Sequence, residues 1–463
     1  MRNIEHSADV SWHFAHLAAQ SEYEHLSADA VAAARNSLLD TVGVCLAGSG
    51  LEPAARGAIE VVHESGGRPE ASVLGFGGRV PAMMAAFANG TLAHVLDYDD
   101  LTPWGQHAGS SVIPAVLAVA ERRGKVSGRE LITALAVGQD IFARLRRNIV
   151  WRKDWNPGPV LGVFAAAAGA CRILEMPEGR IQNALGIATQ ESCGLAEVVG
   201  GLGGDFRGMY AGFSAKGAVL ATLLADKGVT CVDSPFEGTH GVFNNYFPGG
   251  YDRETILADV GHDYQGGTTL YKRWPAVGTS HSHAQATIEI MKEEGLSVED
   301  IRQIRVYVGD YHSLMCTPLE TRRAPQTLID ARFSLPFIVA TAAVRQGLSI
   351  WDFTDTGLQD SRVLDVARRV QPIEDRELDW KLELPHGRVE VITYDGRSFT
   401  RIGTQVPGSI EAPMIWDDLV EKFRECAPAA IRRPSPAQVD SVIGMIQELE
   451  SMDDATEFLR VLD

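Results

Sequence analysis

The sequence has little of what marks several large functional classes. It has no long basic stretch: 42 Lys and Arg stand against 60 Asp and Glu, for a formal net charge of -18. Binding along a nucleic-acid backbone needs the opposite balance, so no nucleic-acid partner is expected. Cysteine is sparse. Cys45, Cys171, Cys193, Cys231, Cys316 and Cys426 lie far apart, with no CxxC pair and no zinc spacing. They read as isolated buried thiols in a reducing, cytoplasmic setting. The opening Met1-Arg2-Asn3-Ile4-Glu5-His6 lacks the hydrophobic core of a signal peptide. Apolar runs such as 160–170 are too short to cross a bilayer and are rich in alanine, as buried helices are, so no membrane association is expected. The glycine-rich stretch 200–204 and the pair Gly266-Gly267 fit neither GxGxxG nor a P-loop, and no nucleotide is implied.

What remains is a globular chain of 463 residues, 45% hydrophobic and 22% charged, long enough for two or three domains. Its first 270 residues carry a helical rhythm. Ser27 caps a run with apolar Val31, Leu38, Leu39, Val42 and Leu46 that stops at Gly48 and Gly50. Ser127 and Glu130 have capping-box spacing, and Pro177-Glu178 opens another helix. After about residue 270 the pattern changes. A helix over 283–293 precedes the alternating Ile304-Arg305-Val306-Tyr307-Val308, an apolar run over 333–344 follows, and strands are predicted at 381–384, 389–393 and 399–402. Helices return near 406: Leu419, Val420 and Phe423 share one side, and Ser435-Pro436-Ala437-Gln438 is a helix start. The expected fold is mainly α. The pattern suggests a large helical domain from 1–270 and 406–463 with a smaller α+β unit over 271–405 inserted in it, although patterning alone does not establish the return.

The densest polar cluster is His94, Asp97, Asp99, Asp100 and His107. Three acids and a histidine suit a divalent cation, or a solvated helix end. A third reading, preferred because no second cluster with ligand spacing exists, makes Asp97 the group that orients His107 for acid–base work. His107 sits between Gly105 and Gly109, in a loop able to approach a small ligand, and imidazole suits proton transfer near neutral pH. Positive charge gathers at Arg144, Arg146, Arg147, Arg152 and Lys153, at Arg207, and at Lys272-Arg273. In an acidic protein these are candidate carboxylate clamps. Lys272 stands out because it falls at the predicted domain junction, where pockets form.

Several segments together resemble one family. They are Leu39-Asp40-Thr41-Val42-Gly43 with Leu46-Ala47-Gly48; His94-Val95-Leu96-Asp97-Tyr98-Asp99-Asp100 with His107; Asn183-Ala184-Leu185-Gly186-Ile187-Ala188; Lys272-Arg273-Trp274-Pro275-Ala276; and Ala331-Arg332-Phe333-Ser334-Leu335-Pro336-Phe337 with Lys422-Phe423. They resemble the MmgE/PrpD family, whose activities include 2-methylcitrate dehydration, cis-aconitate decarboxylation and iminodisuccinate epimerisation. The resemblance implies a helical domain from both chain ends, an inserted lid, a homodimer, and neither metal nor organic cofactor. It implies Asp97, His107 and Lys272 as catalytic residues. It also places Arg207 at the substrate; with the charge clusters and neighbouring segments, the candidate binding residues for a small mono-, di- or tricarboxylate are Arg207, Arg144, Asn156, Asp100, Trp274 and Arg273. Departures stand beside it: Asn156-Pro157-Gly158 where relatives carry His-Pro-Thr, Leu101 for threonine and Trp274 for tyrosine. An asparagine can orient a substrate but cannot shuttle its proton, which counts against decarboxylation.

The leading expectation is a lyase of the dehydratase type, in which His107 takes a proton next to a carboxylate and a β-group departs. The same first step serves an epimerase, which returns the proton on the other face. A non-catalytic binding homologue is the alternative from another class.

Overall fold

The computed structural model describes residues 8–462. It is mainly helical, with a two-stranded ribbon (Ala71–Ser72 with Arg79–Val80) and one four-stranded sheet, and the mainly helical character is as the patterning predicts. Local signals decide many helix ends. The Ser27 hydroxyl accepts from the Ala30 amide, and the helix runs Ala28–Leu51, slightly past the predicted glycine stop. The Ser127/Glu130 capping box opens Gly128–Arg147 and the Ser435/Gln438 box opens Pro436–Gln447. Small residues set the closest helix approaches: a Cβ on Gly48 would stand 2.6 Å from the Leu92 carbonyl, and one on Gly90 would meet Gly212 at 2.9 Å. Ala28–Leu51 is also long and apolar enough to span a bilayer, which the sequence reading overlooked, but 78% of its apolar window is buried inside the protein.

Two buried apolar clusters organise the chain. The larger draws on helices from Val10 to Ile256 and on the C-terminal helices, whose Leu419, Phe423, Val442 and Ile446 join Leu38, Val42 and Leu46. The smaller runs from Trp274 to Val406 and is built on the sheet. Its strands, labelled here β1 (Ile301–Val308), β2 (Val370–Glu374), β3 (Arg388–Thr393) and β4 (Ser398–Ile402), are ordered β2-β1-β3-β4. β1 pairs parallel with β2 and antiparallel with β3, and β3 with β4.

Two expectations need correction. The segment 381–384 is no strand: it crosses the sheet domain as irregular chain and supplies Leu384 to a cavity. The parallel strand is Val370–Glu374, whose edge position tolerates Pro372. Among the cysteines, Cys193 is exposed and Cys231 half-buried rather than buried, and all six are free thiols.

The C-terminal return is secured by charge as well as by packing. Lys422, 1% exposed, places Nζ 2.6 Å from Asp40 Oδ1 and donates to the carbonyls of Tyr98 (2.7 Å) and Lys272 (3.0 Å). Burial pushes the Asp40 carboxyl above its usual range and Lys422 opposes that rise. Replacing Lys422 with Met strands a carboxylate, so urea unfolding at neutral pH should show a loss of about 3–5 kcal/mol. The variant's folded Asp40 must stay protonated while its unfolded Asp40 ionises, so the deficit should shrink as pH falls from 7 towards 4. A deficit that does not change with pH contradicts this account of the pair.

Candidate active site

A turn and a bridge build the site. Helix Ala82–His94 ends at His94, and the chain then turns through Asp97, whose φ of 49° is a left-handed conformation that aspartate tolerates better than most residues. Leu101 exchanges backbone hydrogen bonds with Leu270, at 2.9 and 2.8 Å, which lays 270–273 beside the turn. The Tyr98 hydroxyl donates to the Arg273 carbonyl at 2.9 Å, fixing the same crossing. A tight loop through Gly105 (φ 76°) and Gln106 (φ 73°) then delivers His107 to the start of helix Gly109–Arg123.

Within this frame Asp97 lies between a base and a cation. Lys272 is 1% exposed; its Nζ donates to the Asp97 carbonyl at 2.7 Å and stands 3.1 Å from Asp97 Oδ1. His107 Nε2 lies 3.7 Å from the same Oδ1. The other carboxylate oxygen, Oδ2, is buried without a hydrogen-bond partner. His107 Nδ1 is 2.6 Å from the Asp100 carbonyl, which can only accept, so Nδ1 carries the hydrogen and Nε2 holds the free lone pair. Burial pulls the His107 pKa down to about 4; Lys272 and His94 act in the same direction, while Asp99 and Asp97 oppose it. The imidazole is therefore neutral at pH 7 and can accept a proton.

These groups line a cavity between the two apolar clusters. The helical part contributes His94, Asp97, His107, Asn156, Arg207 and Tyr210; the sheet-bearing part contributes Thr279, Tyr311, Phe333 and Trp380. Its free space is about 60 Å³, room for a handful of waters when one needs ~10–15 Å³, which suits a small organic acid and not a nucleotide. In the same cavity as Tyr311, Arg207 lies with its guanidinium carbon 3.3 Å from the Phe333 ring centre. Its Nε is buried without a partner, and burial lowers its pKa to about 10. Asn156 caps helix Pro157–Ile173 by accepting from the Gly158 amide at 3.1 Å, and lines the cavity with Tyr210.

The structure thus gathers His107, Asp97, Lys272, Arg207 and Asn156 around one space. Four other predicted residues lie elsewhere. Arg144 is fully buried inside the helical part, paired with Asp140 at 2.8 Å and donating to the carbonyls of Ile256 and Ala258; it anchors a loop. Asp100 accepts from the Gly109 amide (2.9 Å) and the Ser37 hydroxyl (3.2 Å), tying down the loop that carries His107. Burial, with Asp99 adding to it, lifts its pKa to about 7. Trp274 is core, 5.3 Å from the His281 ring, and Arg273 contributes its carbonyl rather than its charge. His281 and His283, two apart, both lie at the start of helix His281–Glu293 and are both buried.

Sequence reasoning missed Tyr210, Tyr311, Trp151 and Trp380, which line the cavity from segments with no motif. His94 was in the polar cluster but given no role; its Nδ1 pairs with Asp99 at 3.0 Å and its ring lies 4.8 Å from that of His107. Ligand atoms of His94, Asp97, Asp99 and His107 lie within 4.8 Å of one another, a spacing a metal ion could use. The Lys272 ammonium already sits against Asp97, and a second cation there would be repelled.

The MmgE/PrpD N-terminal domain matches residues 12–254 and the MmgE/PrpD C-terminal domain matches 274–446. A cis-aconitate decarboxylase from Aspergillus terreus (strain NIH 2624 / FGSC A1156) is 26% identical over 414 residues, covering 84% of this chain and 83% of its own length. Those of Mus musculus and Homo sapiens are 23% and 24% identical, covering 98% and 83% of this chain and 93% and 80% of theirs. With both domains matched across most of its length, the chain belongs to the MmgE/PrpD family.

Proposed function

We propose that the protein is a cofactor-independent lyase that removes a proton next to a carboxylate of a small polycarboxylic acid, and that 271–405 acts as the lid over the junction. The observation that carries this reading is the neutral imidazole of His107, with Nε2 free, 3.7 Å from the carboxylate that also holds Lys272. Its relatives are named as decarboxylases of a small acid, which supports the lyase class.

The proton on carbon next to a carboxylate is weakly acidic, so fixed positive groups must stabilise the charge that develops. Lys272 and Arg207 supply them. His107 Nε2 takes the proton, and Asp97 steadies the imidazolium that results. The electron pair moves into the carboxylate as an enediolate, then returns to form the carbon–carbon double bond as a β-hydroxide leaves. Lys272 protonates that hydroxide to water. Asn156, whose Oδ1 is used in capping and whose amide is neither an acid nor a base near neutral pH, cannot shuttle a proton, and this favours β-elimination over decarboxylation.

Turnover of a panel of hydroxy-di- and tricarboxylates in deuterated water tests the reading. An unsaturated product is expected, and His107→Ala should lower kcat/KM by about 10²–10⁴-fold with the fold retained. Deuterium exchange without an alkene would replace the lyase by an epimerase. Acid binding without any turnover would leave a binding protein.

The pH profile is a separate prediction. His107 is protonated only below about 4 in the folded free enzyme, so its base form persists as pH falls from 7. The profile of kcat/KM should stay flat between about pH 5 and 7 and fall with unit slope below. An acid limb near ~6.5, the value of an unperturbed histidine, contradicts the burial argument.

A further inference from the structure

Arg146 is a buried cation beside the cavity that the mechanism does not use. It lies in the last turn of helix Gly128–Arg147 and is 1% exposed. Its Nε is buried with no hydrogen-bond partner. Burial alone lowers its pKa, to about 10, with no carboxylate acting in the other direction.

Other buried arginines are matched: Arg144 with Asp140 at 2.8 Å, Arg332 with Glu52 at 2.7 Å, Arg322 with Asp330 at 4.0 Å. Arg207, like Arg146, shows no ion pair among the described residues, and it lines the cavity. The guanidinium carbon of Arg146 is 6.0 Å from the Trp151 ring centre and 5.9 Å from that of Trp380. Both rings line the cavity and meet edge to face at 5.3 Å, so they form a thin partition in front of the charge. A cation–π contact at that range does not compensate a desolvated guanidinium.

Ion pairing at the site then becomes informative. Lys272 is matched by Asp97, and Asp99 is held against His94 at 3.0 Å, which leaves Arg207 and Arg146 as the site's cations with no ion pair among the described residues. We propose that Arg146 is the binding group for a second carboxylate of the substrate, at the Trp151–Trp380 end of the cavity, so that the site selects di- and tricarboxylates over monocarboxylates of equal size. This rests on the carboxylate reading above and adds the specificity-determining group to it. Trp151 and Trp380 come from opposite sides of the junction, so a ligand that parts them brings its far carboxylate to Arg146.

Titration calorimetry with succinate, citrate and butyrate tests the proposal on the full-length protein, since succinate and butyrate share a four-carbon chain. The wild type should bind succinate about tenfold or more tightly than butyrate. Arg146→Met should erase that ratio while leaving butyrate affinity within about twofold, and Arg146→Lys, which keeps a charge but loses the fork, should give an intermediate ratio. Ligand-free Arg146→Met should melt at the wild-type temperature or above, because it removes an uncompensated buried charge. A lower melting temperature with an unchanged succinate-to-butyrate ratio would make Arg146 structural and overturn the proposal. An unchanged ratio alongside turnover that depends on His107 would remove this proposal and leave the lyase reading standing. Failure of the wild type to bind any of the three acids would remove both.

Discussion

Lys272 carries an ammonium group into a place almost closed to solvent, and the Asp97 residue receives it twice, through its carbonyl at 2.7 Å and its carboxylate at 3.1 Å. The remaining geometry depends on that contact. It can form only because the turn after helix Ala82–His94 and the segment 270–273 run side by side, joined by the Leu101–Leu270 bridge and by the Tyr98 hydroxyl on the Arg273 carbonyl. Lys422, from the far end of the chain, donates to carbonyls on both segments and pairs with Asp40. Three distant parts of the sequence are thus clamped at one point, and His107 is placed against it.

Burial at that point sets the chemistry. An exposed histidine is partly protonated near neutrality; this one is not, because desolvation and the adjacent Lys272 charge both disfavour imidazolium. In the proposed reaction, proton abstraction would make the imidazolium that the resting site resists, and Asp97 would stabilise it. Interactions that strengthen along the reaction are the ones that accelerate it. In the same proposal Arg207 and Lys272 would stabilise the developing negative charge, in a cavity walled by Trp151, Trp380, Tyr311 and Phe333. Low dielectric makes each of those charges count for more than it would in water.

Much of this was legible in the sequence where the cause is local. Capping boxes at Ser127 and Ser435 act within four residues, and they gave their helix starts correctly. The change of pattern near 270 reflects a real change of apolar cluster. Long-range causes were not legible. β2 is short, polar and interrupted by Pro372, and it becomes a strand only because β1 offers a parallel partner some 65 positions earlier in register, Ile304 against Val370. The arginines show the same limit. Arg144 and Arg146 are two apart on one helix, and about 100° of rotation per residue sends them to opposite faces. Composition alone cannot tell which faces the cavity; the structure puts Arg144 against Asp140 and Arg146 against the tryptophans. Tyr311 and Trp380 carry no motif, and their place follows from the sheet that supports them.

The central claim is that one small anion is held between His107 Nε2, Lys272 and Arg207. A crystal structure with a bound, slowly turned-over polycarboxylate tests it most directly. The account predicts a carboxylate on Lys272 and Arg207, with the adjacent carbon ~3–3.5 Å from His107 Nε2. A ligand seated elsewhere, or one whose reacting carbon faces away from His107 in the closed form, contradicts it.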